Sequence, residues 1–275
     1  MTGKLIKYEI KSSIKLMAVM WAALIAASLL FSLSRNLIDH VMDDSSAGSS
    51  AFISITEFAA GLMYTSIFIA LIAATIIIVI MRFYKGLLGD EGYLMHTLPV
   101  KPWQLITSKG LVAAGVVLIS IIVAMLSLAL LTGISNLSII PDVIGEIAKA
   151  IKADAKFLLI LIEALILIVI SLLKSIYQVY ASLAIGQLAS KHRILLSLGA
   201  YIGLSTAVTV FAMAIVIIAG NLNIGYWLSS WDGSADDVFG LSQIAIAGMF
   251  VLTGIQLAAF HIITERILSK GLNLQ

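Results

Sequence analysis

The sequence predicts an all-α polytopic membrane protein with six transmembrane helices. Of its 275 residues, 61% are hydrophobic and 12% are charged, whereas a soluble domain is about half apolar and roughly a quarter charged. The apolar residues are gathered into charge-free stretches, and about 20 residues are enough to cross the hydrocarbon core of a bilayer. Together these observations exclude a soluble globular domain, a disordered chain and a fibrous repeat. Residues 1–275 are predicted to form a single transmembrane domain.

The first fifteen residues are predicted to form an amphipathic helix on the membrane surface. Isoleucines repeat along one face, and lysines repeat at helical spacing on a neighbouring face at Lys4, Lys7, Lys11 and Lys15. The apolar side chains would enter the interface while the lysines meet anionic headgroups, so membrane lipid is an expected partner. The alternative is a basic flank that only fixes the orientation of the chain.

Charged residues bound the predicted spans. Lys15 and Arg35 enclose the first, and Glu57 and Arg82 enclose the second. The three prolines lie outside the spans, as unbroken helices require. The six predicted spans cover residues 16–34, 62–82, 111–133, 157–183, 195–219 and 242–263. Before the fourth span, apolar residues at helical spacing after Pro141 predict a further helix on the outer surface.

The loop after the second span, residues 83–109, is the most informative segment. It contains several leucines, among them Leu87 and Leu88, and is too apolar for a linker that is exposed to solvent. A short amphipathic helix would place some apolar residues on one face and Asp90 and Glu91 on another. Apolar residues on a cytosolic protrusion need either a partner surface or the membrane itself to cover them.

The positions of Lys and Arg predict the orientation, because cytoplasmic loops carry an excess of basic residues. An even number of spans places both termini on one side. Twelve of the seventeen Lys and Arg fall on that side, in the N-terminal segment, the two loops there and the C-terminal tail. The opposite side has four basic and ten acidic residues. Both termini are therefore predicted to be cytoplasmic.

Two charged residues lie within the fourth span. Glu163 and Lys174 are eleven residues apart, about 16 Å along a helix, so they cannot pair with each other. A charge at the bilayer centre costs about 2.5–3.5 kcal/mol on insertion scales, so such residues usually face protein or water. Glu163 is expected either to line a polar path through the membrane or a dimer interface, or to reach the outer headgroups. Lys174 is expected to extend toward the inner headgroups.

The residues that carry chemistry in soluble enzymes do not converge here. There are no cysteines and four scattered histidines, and no HExxH or paired-glutamate motif occurs. No catalytic residues, metal site or cofactor of the chain's own are therefore predicted. The basic residues flank spans, so no nucleic-acid partner is expected.

One string in the loop, GDEGYLMHTLPVKPWQLITSK, resembles the stretch after the second span in type-2 ABC exporter permeases of Gram-positive bacteria. The motifs that carry the resemblance are residues 89–94, 97–99 and 108–109. The string AIGQLASKHR at residues 184–193 resembles the family's loop after span four, and the opening KLIKYEIK resembles its N-terminal surface helix. The resemblance therefore extends over the whole chain.

The resemblance implies a multi-pass permease of a bacterial plasma membrane. Two copies, or one copy and a closely related second permease, would surround a translocation path. A separate cytoplasmic ABC ATPase would bind ATP and Mg, in agreement with the absence of a GxxxxGK[ST] phosphate loop from this sequence.

The resemblance also implies that the loop 83–109 contains a coupling helix docked in a groove of the ATPase. The implied contact residues are Asp90, Glu91, Tyr93, Leu94, His96 and Leu98. Candidate residues in the second cytoplasmic loop are Gln187, Lys191 and Arg193. The alternative for the coupling helix is packing on the inner leaflet alone.

The implied cargo is hydrophobic or amphipathic, with an antimicrobial or toxin-like peptide as the first hypothesis and a lipid or a drug as the second. Two other classes stay open. A membrane-embedded enzyme would need convergent polar residues inside the spans. An assembly or regulatory membrane protein would lack a transport path.

Overall fold

A computed structural model describes most of the chain, namely residues 2–41, 47–89, 101–131, 139–189, 191–221 and 234–270. These residues contain seven α-helices and one π-helical turn, Tyr84–Leu88, and no strand occurs among them. The helices are α1 (Thr2–Val41), α2 (Ala47–Phe83), α3 (Pro102–Leu131), α4 (Ile139–Ala153), α5 (Ala155–Gly186), α6 (Arg193–Asn221) and α7 (Ala235–Lys270).

Six helices in the described ranges are long and apolar enough to cross a membrane, which confirms the predicted all-α, multi-pass character. Their apolar segments are Leu5–Ser34, Ile55–Leu88, Pro102–Leu131, Ala155–Gly186, Arg193–Ile218 and Asp237–Ser269. Each coincides with one predicted span and most extend beyond it. The backbone ladder of a helix continues past the last apolar residue, so a charge marks the edge of the hydrocarbon segment and not the helix end.

The helix starts have local causes. Pro102 opens α3, where its missing N–H costs nothing, and the Gln104 side chain accepts a hydrogen bond from the Lys101 N–H at 3.4 Å. Asp154 caps α5 by accepting a 2.8 Å bond from the Lys156 N–H. Because Pro102 is its first residue, α3 begins nine residues before residue 111, the predicted start of the third span.

The segment predicted as a surface helix forms the first part of α1. The helix continues through Lys15 without a break, and the side chains of Lys7, Lys11 and Lys15 are exposed. A separate surface helix is not distinguished from the first span, so its position on the membrane surface stays a prediction. The helix expected after Pro141 corresponds to α4, whose position at the outer surface is likewise a prediction.

The chain divides into two compact units, and α2 and α3 each contribute residues to both. The first unit comprises residues 3–79 and 112–150. Its apolar core is built from α1, α2 and α3 through Met17, Leu24, Tyr64, Leu71, Ile78 and Val116. Side-chain hydrogen bonds join the same helices.

The second unit comprises residues 80–111 and 151–275. In it α5 packs along both α6 and α7. The π-helical turn and the first turns of α3 belong to the same unit, so the two flanks of residues 90–100 lie in one compact body with the last three predicted spans. The second unit therefore contains both flanks of residues 90–100, around which the candidate site is built.

Candidate functional site

The predicted ATPase-contact residues lie outside the described residues. These are Asp90, Glu91, Tyr93, Leu94, His96 and Leu98. The segments on either side of them are described, and we call these flanks, residues 82–89 and 101–111, the loop base. The site is therefore described through the contacts that fix the loop base.

Lys109 is buried in the loop base, with 5% of its surface exposed. Its Nζ donates a hydrogen bond to the Arg82 carbonyl at 3.3 Å, which ties the start of α3 to the end of α2. A Cβ added at Gly86 would lie 2.5 Å from the same Nζ, so a larger residue here would require the Lys109 side chain to shift. The sequence pattern places Lys109 only at the end of the predicted loop 83–109 and does not reveal its buried, bridging position.

The π-helical turn at Tyr84–Leu88 buries the leucines that precede the undescribed residues. Leu87 is fully buried and Leu88 is 6% exposed. The expectation that these two side chains need a partner surface is therefore wrong, because the chain itself covers them. Single π-helical turns occur frequently at functional sites.

An aromatic cluster adjoins the loop base. Phe83 stacks on Tyr180 with ring centroids 4.0 Å apart and an interplanar angle of 13°. Tyr177 meets Tyr180 edge-on at 5.9 Å and His261 edge-on at 5.1 Å. The cluster thus connects the end of α2 with α5 and α7 inside one compact unit.

Gly110 allows the start of α3 to reach the same cluster. A Cβ at this position would lie 2.7 Å from the Tyr177 hydroxyl oxygen and 2.9 Å from the adjacent ring carbon. Real side chains do not approach so closely, so the absence of a side chain at Gly110 is what permits the contact. The cluster therefore gathers α2, α3, α5 and α7.

The second predicted loop forms the tight turn between α5 and α6. Gln187 caps α5, and its backbone N–H donates to the carbonyls of Leu183 and Ala184 at 3.2 Å. His192 adopts a left-handed conformation with φ 56°, which a histidine tolerates better than most residues. The Arg193 Nε donates to the Ala189 carbonyl at 3.4 Å.

A cleft of about 320 Å³ opens beside this turn. Most of the residues that line it are apolar, and two are polar, Lys191 and His192. The lining residues are Ile185, Lys191, His192, Leu195, Leu196, Gly199 and Ala200. Of the three residues predicted in this loop, the cleft thus includes Lys191.

Glu163 has a partner that the sequence did not indicate. Its Oε2 accepts a 2.9 Å hydrogen bond from the Gln243 Nε2, which joins α5 to α7. Two turns earlier on α5, the Lys156 Nζ lies 5.3 Å from the centre of the Phe239 ring. Lys174, the other intramembrane charge, is half-buried on α5. The Glu163 carboxylate thus takes part in helix pairing within the chain.

Several of these positions carried a sequence signal that was not used. Tyr177, Tyr180, Ala181 and Ala184 recur at helical spacing on one face of α5, and all four are buried. Small side chains on one face of a span are typical of close helix packing. Gln243 in the sixth span is an uncharged polar residue that was overlooked beside the charged ones.

The remaining predicted site residues do not converge. Lys7, Lys11 and Lys15 lie along α1 in the first unit, and the side chain of Lys4 is outside the described set. In the part of the chain that the structure describes, no group of three or more His, Asp or Glu residues is arranged to hold a metal ion. The loop base and its aromatic cluster are consequently the best-defined candidate site.

No family model, curated protein or solved structure matches this chain.

Proposed function

We propose that this chain is the membrane permease subunit of an ATP-driven exporter of the ABC type. It would act as a homodimer or beside a closely related second permease in the bacterial plasma membrane, with both termini cytoplasmic. ATP would be hydrolysed by a separate subunit that docks on residues 90–98. The cargo would be a hydrophobic or amphipathic peptide, with a lipid or a drug as the alternative within the same class.

The observation that carries the proposal is the anchoring of the loop base. Phe83 stacks at 4.0 Å on Tyr180, and Lys109 bonds to the Arg82 carbonyl at 3.3 Å. A loop held at both flanks by buried contacts transmits a displacement, whereas a loop on flexible flanks absorbs it. The resemblance of the loop sequence to the exporter family supports the same function independently.

The mechanism follows from this anchoring. A partner that grips residues 90–98 and moves on ATP binding would carry the loop base with it as a rigid body. The stacked ring of Tyr180 on α5 and the edge contact of Tyr177 with His261 on α7 would pass the movement to two spans. The spans would then alternate between two packings, because packed interiors switch between discrete arrangements and do not deform continuously.

Co-purification and transport in liposomes test the proposal. The full chain is reconstituted with a candidate ABC ATPase subunit, sought first in the neighbouring genes, and ATP turnover is measured with and without amphipathic peptides. Glu91→Lys and Leu94→Ala should each weaken ATPase binding, whereas Asp142→Lys, a matched charge change on exposed α4, should not. Undiminished binding and transport in both loop variants, or the absence of any such ATPase, would overturn the proposal.

A second variant separates docking from transmission. Phe83→Leu removes the stacked ring while leaving residues 90–98 unchanged, so ATPase binding should persist and peptide-stimulated turnover should fall. If turnover and transport stay at the level of the unsubstituted protein, the aromatic cluster does not transmit the movement.

A further inference from the structure

The cleft beside the α5–α6 turn differs in character from the loop base. Five of its lining residues are apolar or small: Ile185, Leu195, Leu196, Gly199 and Ala200. Lys191 and His192 stand at the end where α6 begins, and both side chains are exposed. From Arg193 to Ala200 the helix rises about 10 Å, so the cleft is an apolar channel along α6 with a cationic end.

The face of α6 around the cleft is apolar and open. Ile194 is 80% exposed and Leu195 71%, and exposed apolar side chains continue along the helix to Val216 and Ile217. If α6 crosses the bilayer as predicted, this exposed apolar face meets acyl chains. A hydrocarbon chain could then enter the cleft from the bilayer without crossing water.

We infer that this cleft is a binding site for an anionic phospholipid of the inner leaflet. One acyl chain lies against Leu195, Leu196 and Gly199, and the phosphate group meets Lys191. Charge complementarity selects the occupant, because basic pockets at the cytoplasmic ends of spans attract anionic headgroups. The contact arises from the α5–α6 turn alone and does not depend on the exporter function.

Gly199 provides a test that leaves the fold intact. A Cβ at Gly199 meets no atom within 4 Å, so a larger side chain there occupies the cleft and does not displace packed neighbours. Gly203, one turn further along α6, also has open space around its Cβ position but does not line the cleft. Gly199→Leu and Gly203→Leu are therefore a matched pair.

The charge of the headgroup is tested separately. Lys191→Gln removes the cation at the end of the cleft. Lys152→Gln removes an exposed cation on α4, which the charge bias predicts to lie on the other side of the membrane. A lysine near an anionic surface contributes about 1 kcal/mol, so the loss of Lys191 is expected to weaken binding about fivefold.

The experiment uses the full chain, purified in detergent and stripped of lipid. Phosphatidylglycerol or phosphatidylcholine is added, and bound lipid is counted by native mass spectrometry. The unsubstituted protein, Gly203→Leu and Lys152→Gln should retain phosphatidylglycerol in preference to phosphatidylcholine. Gly199→Leu should lose the bound lipid, and Lys191→Gln should lose the preference.

Equal retention of the two lipids by the unsubstituted protein would overturn the inference. The inference requires both an apolar channel and a cationic end. It would therefore also be overturned if Gly199→Leu kept the bound lipid, or if Lys191→Gln kept the preference for phosphatidylglycerol. Loss of binding in Gly203→Leu would show that lipid binds along α6 in general and not in the cleft.

Discussion

At the scale of single residues, two glycines set how closely the helices of the second unit approach. Gly86 makes room for the ammonium group of Lys109, and Gly110 makes room for the hydroxyl of Tyr177. Both positions lie in the loop base. Glycine is unfavourable within a helix by about 0.5–1 kcal/mol relative to alanine, so its presence at Gly110 is explained by the contact it permits.

Gly110→Ala is expected to destabilise the protein. The new methyl group would lie 2.7 Å from the Tyr177 hydroxyl oxygen, and the ring is held by edge contacts with Tyr180 and His261. Overpacking of this kind costs about 1–3 kcal/mol, which exceeds the gain in helix propensity. Thermal unfolding in detergent should show a lower midpoint.

The matched control is Gly115→Ala on the same helix. A Cβ at Gly115 meets no atom within 4 Å, so this variant should unfold at the same temperature as the unsubstituted protein or slightly higher. If Gly110→Ala is as stable as Gly115→Ala, then Tyr177 moves aside freely and the close approach has no energetic importance.

At the scale of elements, serines on α3 join the three helices of the first unit. The Ser120 hydroxyl accepts a 3.0 Å bond from the Trp21 indole on α1, and it lies 3.4 Å from the Thr75 hydroxyl on α2. Seven residues later, the Ser127 hydroxyl lies 2.9 Å from that of Tyr64. Polar contacts of this kind hold spans together in lipid, where apolar surface gives no driving force for association.

Ser120→Ala should weaken the packing of α1, α2 and α3. Trp21 and Thr75 would each lose a partner, and interhelical bonds in membrane proteins contribute about 0.6 kcal/mol on average and up to about 1.7 kcal/mol. Unfolding in detergent by a graded denaturant measures the change. Ser66→Ala is the control, because the Ser66 hydroxyl is exposed and bonds to Leu62 of its own helix. Equal stability of the two variants would contradict a role for Ser120 in joining the helices.

The number and type of elements could be predicted from charge-free stretches, because burial in lipid demands them. The helix ends could not, since Lys109 marks the polar boundary of the predicted span while α3 already begins at Pro102. Lys109 also has a buried tertiary partner, the Arg82 carbonyl, which a one-dimensional charge pattern does not reveal. For the same reason the Glu163–Gln243 bond could not be read from either residue alone.

At the scale of the whole molecule, the charge distribution predicts the orientation and thereby the direction from which an ATPase can dock. Lys101 and Lys191 are exposed on the side predicted to be cytoplasmic, and Asp142 is exposed on α4, which is predicted to lie on the opposite side. The proposed exporter function and the inferred lipid site both require this orientation. It is therefore the premise that most merits a direct measurement.

The chain contains no cysteine, so a single introduced thiol can be labelled without background. Asp142→Cys should react with a membrane-impermeant maleimide in intact cells, because the predicted orientation places its thiolate in the outer water phase. Lys101→Cys and Lys191→Cys should react only after permeabilisation. Labelling of Lys101→Cys in intact cells would invert the orientation and place residues 90–98 out of reach of any cytoplasmic ATPase. Equal labelling of Lys101→Cys and Asp142→Cys in intact cells would contradict the prediction that these two residues lie on opposite sides of the bilayer.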